Sequence, residues 1–177
     1  MNKKSIVLSL ITLLISAPVY AVDGIAITGG SGPDAHKAAV SLQWDWKKRW
    51  FTEGDWFLGG YWELSGSYWK GDGPSPEKDV YGIGFTPVFR FERNAMNGLA
   101  PYVEGGIGVN QFSTTKIHGD KTMGTTFEFG DHIGLGLRFG ENLNYDIGYR
   151  YQHYSNASIS DNNGGVNFNE VRLRYNF

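Results

Sequence analysis

From Tyr81 to Glu92 the chain reads YGIGFTPVFRFE, with Tyr, Ile, Phe, Pro, Phe and Phe at every second position. A helix would scatter those side chains around its circumference, whereas an extended strand collects them on one face. The same alternation marks Lys37–Trp46, Asp55–Tyr68, Thr125–Phe139, Asn144–Ser155 and Val166–Phe177, with weaker forms at Val22–Gly29 and Ala100–Phe112. Eight strands are therefore expected, and no segment has the pattern of a helix.

The two faces of these strands decide what kind of sheet they build. One face carries aromatic and aliphatic side chains; the other carries Asp45, Glu63, Arg90, Arg138, Asp146, Arg150, Arg172 and Arg174, spaced by glycines. An eight-stranded barrel has an interior just wide enough to be filled by side chains. Charges can fill it only if the apolar face looks outward, into lipid. A soluble lipocalin-like barrel would have the faces reversed. The expected fold is all-β: an eight-stranded antiparallel up-and-down transmembrane β-barrel. The abundance of glycine (25 residues) and the six Trp and ten Tyr suit strands with interfacial aromatic girdles.

Both chain ends agree with an envelope barrel. Met1–Lys4 is basic, Ile6–Ile15 is mostly apolar, and Val19 and Ala21 place small residues at a cleavage site. This predicts a signal peptide over 1–21 and a barrel domain over 22–177, about 156 residues. The apolar run is too short to span a bilayer as a helix. At the other end Val171, Leu173, Tyr175 and Phe177 share one face. That final aromatic resembles the assembly signal of bacterial outer-membrane barrels. With both termini periplasmic, the outer loops are Gly30–His36, Lys70–Asp79, Ser113–Lys121 and Asn156–Gly164, and Gly140–Asn142 is a short inner turn. The inner turn Lys47–Gly54 is longer than this asymmetry predicts.

Composition narrows the chemistry. With no cysteine there is no disulfide, no thiolate catalysis and no cysteine-bound zinc. A net charge of −2 offers no basic footprint, so nucleic acid is not an expected partner. One polar group stands out. His153 and Ser155 share the outward face with Ile147, Tyr149 and Tyr151, at the strand's outer end. If the following loop is centred on Ser160, Asn167 lies opposite His153, or opposite Ser155 after a shift of one pair, and on the same face in either case. A hydroxyl, an imidazole and a group to orient it have the logic of a hydrolase triad. His-x-Ser alone would arise by chance in roughly a quarter of chains of this composition; its place on a lipid-facing surface is what gives it weight.

The segments HYSNAS (His153–Ser158) and NNGGVNF (Asn162–Phe168) resemble the C-terminal signature of the lipid A 3-O-deacylase (PagL) family. The likeness is most specific over Arg150–Phe177. It implies an outer-membrane enzyme acting on lipid A of lipopolysaccharide, with Ser155 as nucleophile and His153 as base. It also implies an oxyanion hole at Asn156, helped by the backbone of Ala157 and Ser158. No cofactor or metal is implied; the partners are the lipid A substrate and the lipids of the bacterial cell outer membrane. In that family the third triad residue is Glu, fourteen positions after the His; here that position is Asn167. Outer-membrane phospholipase A, with a similar His-x-Ser-Asn motif, uses Asn. Asn167 is therefore the expected third member, and Glu170, inward by parity, is the alternative. A passive or adhesive barrel, a phospholipase and a lipid A palmitoyl transferase are the competing readings. His36, His118 and His132 lack partners at metal-ligand spacing, and Asp72, Glu77, Lys78, Asp79, Lys116, Asp120 and Lys121 read as solvated loop charge, with contact between the basic ones and lipid A phosphates as the alternative.

Overall fold

The computed structural model describes residues 21–161 and 164–177. The expected signal peptide, Ala21 apart, lies outside them, as do Asn162 and Asn163 of the C-terminal signature. The strands are β1 (Gly24–Ser31), β2 (Ala35–Asp45), β3 (Trp56–Gly71), β4 (Asp79–Arg93), β5 (Leu99–Phe112), β6 (Lys116–His118), β7 (Lys121–Thr122), β8 (Phe127–Phe139), β9 (Tyr145–Ser155) and β10 (Val166–Asn176). Eight of them close a barrel in the order β1-β10-β9-β8-β5-β4-β3-β2, while β6 and β7 form a separate hairpin. Every barrel pairing is antiparallel, and β1 meets β10 from Gly24↔Asn176 to Ser31↔Asn169, so no edge is left unpaired.

Burial alternates residue by residue along β9 and β10, as a two-faced wall requires. Outside lie Ile25, Val40, Trp62, Phe85, Phe89, Leu135, Tyr149 and Leu173, all exposed. Inside, three guanidinium groups meet three carboxylates. Arg150 reaches Glu104 at 2.7 Å and Glu63 at 2.9 Å; Arg90 reaches Glu104 at 2.8 Å and Asp146 at 2.9 Å; Arg172 reaches Asp146 at 3.3 Å. Tyr61 and Tyr102 supply hydroxyls to the same network. Buried charge on this scale persists only when it is paired and hydrogen-bonded, which makes the lumen a packed polar plug rather than a conduit.

The structure adds two features to the expected pattern. The outer loop after β5 is not plain loop: β6 and β7 fold into it, and Ile117 and Met123 drop into an apolar cap with Trp69, Val80, Phe112, Tyr154 and Phe168. This cap closes the end of the barrel away from the chain termini. The long inner turn earns its length at the opposite rim, where Trp46 packs edge-on against Trp50 at 6.2 Å and Phe89 at 4.9 Å. The first two outer loops are shorter than predicted, because β1, β3 and β4 run on to Ser31, Gly71 and Asp79, whereas the connection from β5 to β8 is longer than the predicted Ser113–Lys121.

Candidate functional site

Strand alternation decides what β9 and β10 present at their outer ends. Tyr154, Val166 and Phe168 turn inward and are buried in the apolar cap. His153, Ser155 and Asn167, the residues between them, turn outward. The pairing Asn167↔His153 is the one the loop length predicts. Across it, His153 Nδ1 lies 2.6 Å from Asn167 Oδ1. A carbonyl oxygen can only accept, so Nδ1 carries the hydrogen and Nε2 is left as the basic nitrogen. Ser155 is the next outward residue on β9. Among the described residues no hydrogen bond joins it directly to His153; such bonds commonly tighten only when substrate arrives.

The chain turns sharply after Ser155. Ile159 N–H donates to Asn156 O at 3.0 Å, closing a four-residue turn. Its two central residues, Ala157 and Ser158, have φ of 51° and 64°. That left-handed pair is rare outside glycine, asparagine and aspartate and costs on the order of 1–2 kcal/mol per residue. Asn156 itself is fully buried. Glu170 is on the inner face and 2% exposed, and Lys37 Nζ holds it at 2.6 Å. It is committed to that ion pair, which removes it as an orienting group for His153.

One residue of this cluster escaped the sequence reading. Asp131 on β8 stands directly opposite His153, on the side away from Asn167. It shares the outward row with Ile133, Leu135 and Leu137. Among the described residues, the outward-facing rows carry no other charge except at strand ends. The signal was present: Asp131 breaks the apolar alternation of its strand as His153 and Ser155 break theirs. Farther round the wall is a shallow apolar trough lined by Ile27, Gly29, Ala38, Val40, Gly66 and Val171. His36 is exposed and paired with Asp72 at 3.3 Å, while His118 and His132 are buried.

A closed eight-stranded wall, apolar outside and ion-paired inside, defines an outer-membrane β-barrel. Comparison with known proteins makes this specific. The lipid A 3-O-deacylase (PagL) family profile matches residues 36–176. The lipid A deacylase PagL of Pseudomonas aeruginosa PAO1 is 35% identical over 167 residues, 93% of each chain. That of Bordetella bronchiseptica RB50 is 39% identical over 115 residues, 65% of this chain and 61% of the relative. The crystal structure of the outer membrane enzyme PagL superimposes with a TM-score of 0.76 at 31% identity, covering 87% of this chain and 99% of that one. Neisserial surface protein A shares the fold alone, with a TM-score of 0.51 at 13% identity over 87% of this chain and 94% of that one. This chain belongs to the lipid A 3-O-deacylase family and is an outer-membrane protein.

Proposed function

We propose that the protein hydrolyses the ester that links the acyl chain to the 3 position of lipid A, with Ser155 as nucleophile and His153 as base. Asn167 fixes the imidazole tautomer. In the first half-reaction Ser155 Oγ–H gives its proton to His153 Nε2 as Oγ bonds to the ester carbonyl carbon. The resulting oxyanion is met by the amides of the strained turn, at Asn156, Ala157 and Ser158. The intermediate collapses with loss of the sugar oxygen, which takes the proton from Nε2. Water then repeats the sequence on the acyl-enzyme, releasing a fatty acid and restoring Ser155. Asp131 supplies the negative charge near the imidazolium that Asn167 lacks.

The observation carrying this reading is the 2.6 Å bond from His153 Nδ1 to Asn167 Oδ1 on the outward face. That face suits a substrate held in the bilayer. Lipid reaches it by lateral diffusion, so membrane partitioning provides the proximity a soluble enzyme must obtain by binding. The test is mass spectrometry of lipid A from outer membranes carrying wild-type protein or Ser155→Ala, with folding checked by heat-modifiable gel mobility. Wild type removes one 3-hydroxyacyl chain and the folded variant removes none. Intact lipid A with folded wild type, in membranes and again in detergent, would refute the reading. Release of fatty acid from glycerophospholipid instead would make the protein a phospholipase.

A further inference from the structure

The side of the imidazole that carries Nε2 is bounded by backbone. A methyl group placed at Gly165 would run into His153 Cε1 and stand 3.1 Å from Nε2. The glycine thus lets the chain lie flat against the ring edge that exchanges protons in the mechanism above. Its carbonyl is held from a distant part of the sequence. Lys121 Nζ, on β7, donates to Gly165 O at 2.8 Å and pairs with Asp34 at 3.3 Å. His118 Nε2 lies 3.5 Å from another oxygen of Asp34.

The hairpin that carries Lys121 is itself anchored. Lys78 N–H donates to Ile117 O at 2.9 Å, Gly119 N–H donates to Pro74 O at 2.6 Å, and Ile117 is fully buried in the cap. Lys121 therefore ties together the loops after β1, β5 and β9, and the hairpin adds the loop after β3. The side chain is 22% exposed, so it is sheltered rather than displayed to solvent. Solvated loop charge, the expectation from sequence, does not describe it.

We propose that Lys121 is a positioning residue: through Gly165 it holds the backbone against the Nε2 edge of His153 and keeps the ring aimed at Ser155. The idea rests on the serine–histidine reading given under Proposed function. Displacements of about 1 Å at a reacting group can cost up to roughly 10²-fold in rate. Loss of this tether, with the Asn167 bond kept, is expected to cost about tenfold.

The experiment uses the full barrel folded in detergent micelles, as wild type, Lys121→Met and Lys121→Arg. Two rates are read: turnover of lipid A, resolved into kcat and KM, and modification of Ser155 by a small neutral fluorophosphonate, located by peptide mass spectrometry. In the labelling step Ser155 Oγ bonds to phosphorus, fluoride leaves and the hydroxyl proton passes to His153. Lys121→Met should slow kcat and labelling alike by about tenfold with KM held, and Lys121→Arg should recover most of both. Should Lys121→Met fail to fold, Lys121→Gln makes the same comparison. A raised KM with unchanged labelling would overturn the proposal and make Lys121 a contact for the anionic groups of the lipid. Unchanged rates throughout would overturn it too. Absence of labelling in folded wild type would sink the serine–histidine reading itself, and this inference with it.

Discussion

Asn167→Asp gives the sharpest test of how the imidazole is supported. The two side chains have the same length, so an oxygen stays at the 2.6 Å position beside Nδ1 and only charge is added. A neutral hydrogen bond contributes about 0.5–1.5 kcal/mol and one to a charged group about 1.5–3 kcal/mol. The difference, about 1.4 kcal/mol applied where the imidazolium forms, corresponds to about tenfold in kcat. Asp131 limits this gain. The two residues are directly opposed across β8 and β9, so their Cβ atoms stand about 4.5–5.5 Å apart, and charges at such a separation attract by up to about 3 kcal/mol at an effective dielectric near 20. Asp131→Asn alone should therefore lower kcat by about tenfold, and Asn167→Asp should restore most of it. Asn167→Leu, which strands the Nδ1 donor, should lose about 10- to 100-fold. A second carboxylate at the bilayer interface costs the barrel only about 0–1 kcal/mol, so folding should survive. The assay is the initial rate of 3-hydroxy fatty acid release from lipid A in mixed micelles. Equal rates for Asn167→Asp and wild type in both Asp131 backgrounds, together with an active Asn167→Leu, would refute the role given to Asn167.

Two further outcomes follow from other parts of the wall. A Cβ at Gly66 meets nothing within 4 Å, so Gly66→Phe covers the apolar trough and should leave both barrel folding, read by heat-modifiable gel mobility, and Ser155 labelling by the small phosphonate unchanged. Glu104 accepts from Arg90 at 2.8 Å, Arg150 at 2.7 Å and Tyr61 at 3.1 Å. Arg172 also lies 3.5 Å away, so Glu104→Gln leaves three guanidinium groups under-compensated and should destabilise the barrel by about 3 kcal/mol, measured by urea unfolding of the folded protein in micelles.

The architecture was legible because a membrane barrel writes both of its solvents into each strand. Phe85, Phe89 and Phe91 against Arg90 leave one arrangement in an eight-stranded wall, and the Asn167↔His153 register followed from a loop centred on Ser160. What sequence could not supply was contact between strands distant in the chain. Asp131 is 22 residues before His153 and meets it only because β8 and β9 pair in one register. Lys121 was read as loop charge because its partners, Asp34 and Gly165, lie 87 residues before and 44 after it. The hairpin β6–β7 was missed for a related reason. At three and two residues its strands are too short to show alternation, and their pairing is sustained by burying Ile117 and Met123 in a cap built by other segments.

That cap also explains how a site can be rigid on a surface washed by lipid. Side chains on the outer wall have little protein around them, and precise placement ordinarily needs packing. Here it comes from the reverse face of the same strands. Tyr154 and Phe168 are wedged against Trp69 at 4.8 Å and 5.0 Å, and Tyr154 also accepts from Lys37 at 2.7 Å. Each flanks a site residue on its own strand, Tyr154 between His153 and Ser155 and Phe168 beside Asn167. Fixing the inward residue fixes the backbone and hence the direction of its outward neighbours. The outward cluster of His153, Ser155 and Asn167 is thus held in direction by an apolar core on the opposite face of its strands. Residues across the barrel wall stiffen the backbone, while the Asn167 bond and the Gly165 backbone border the ring itself.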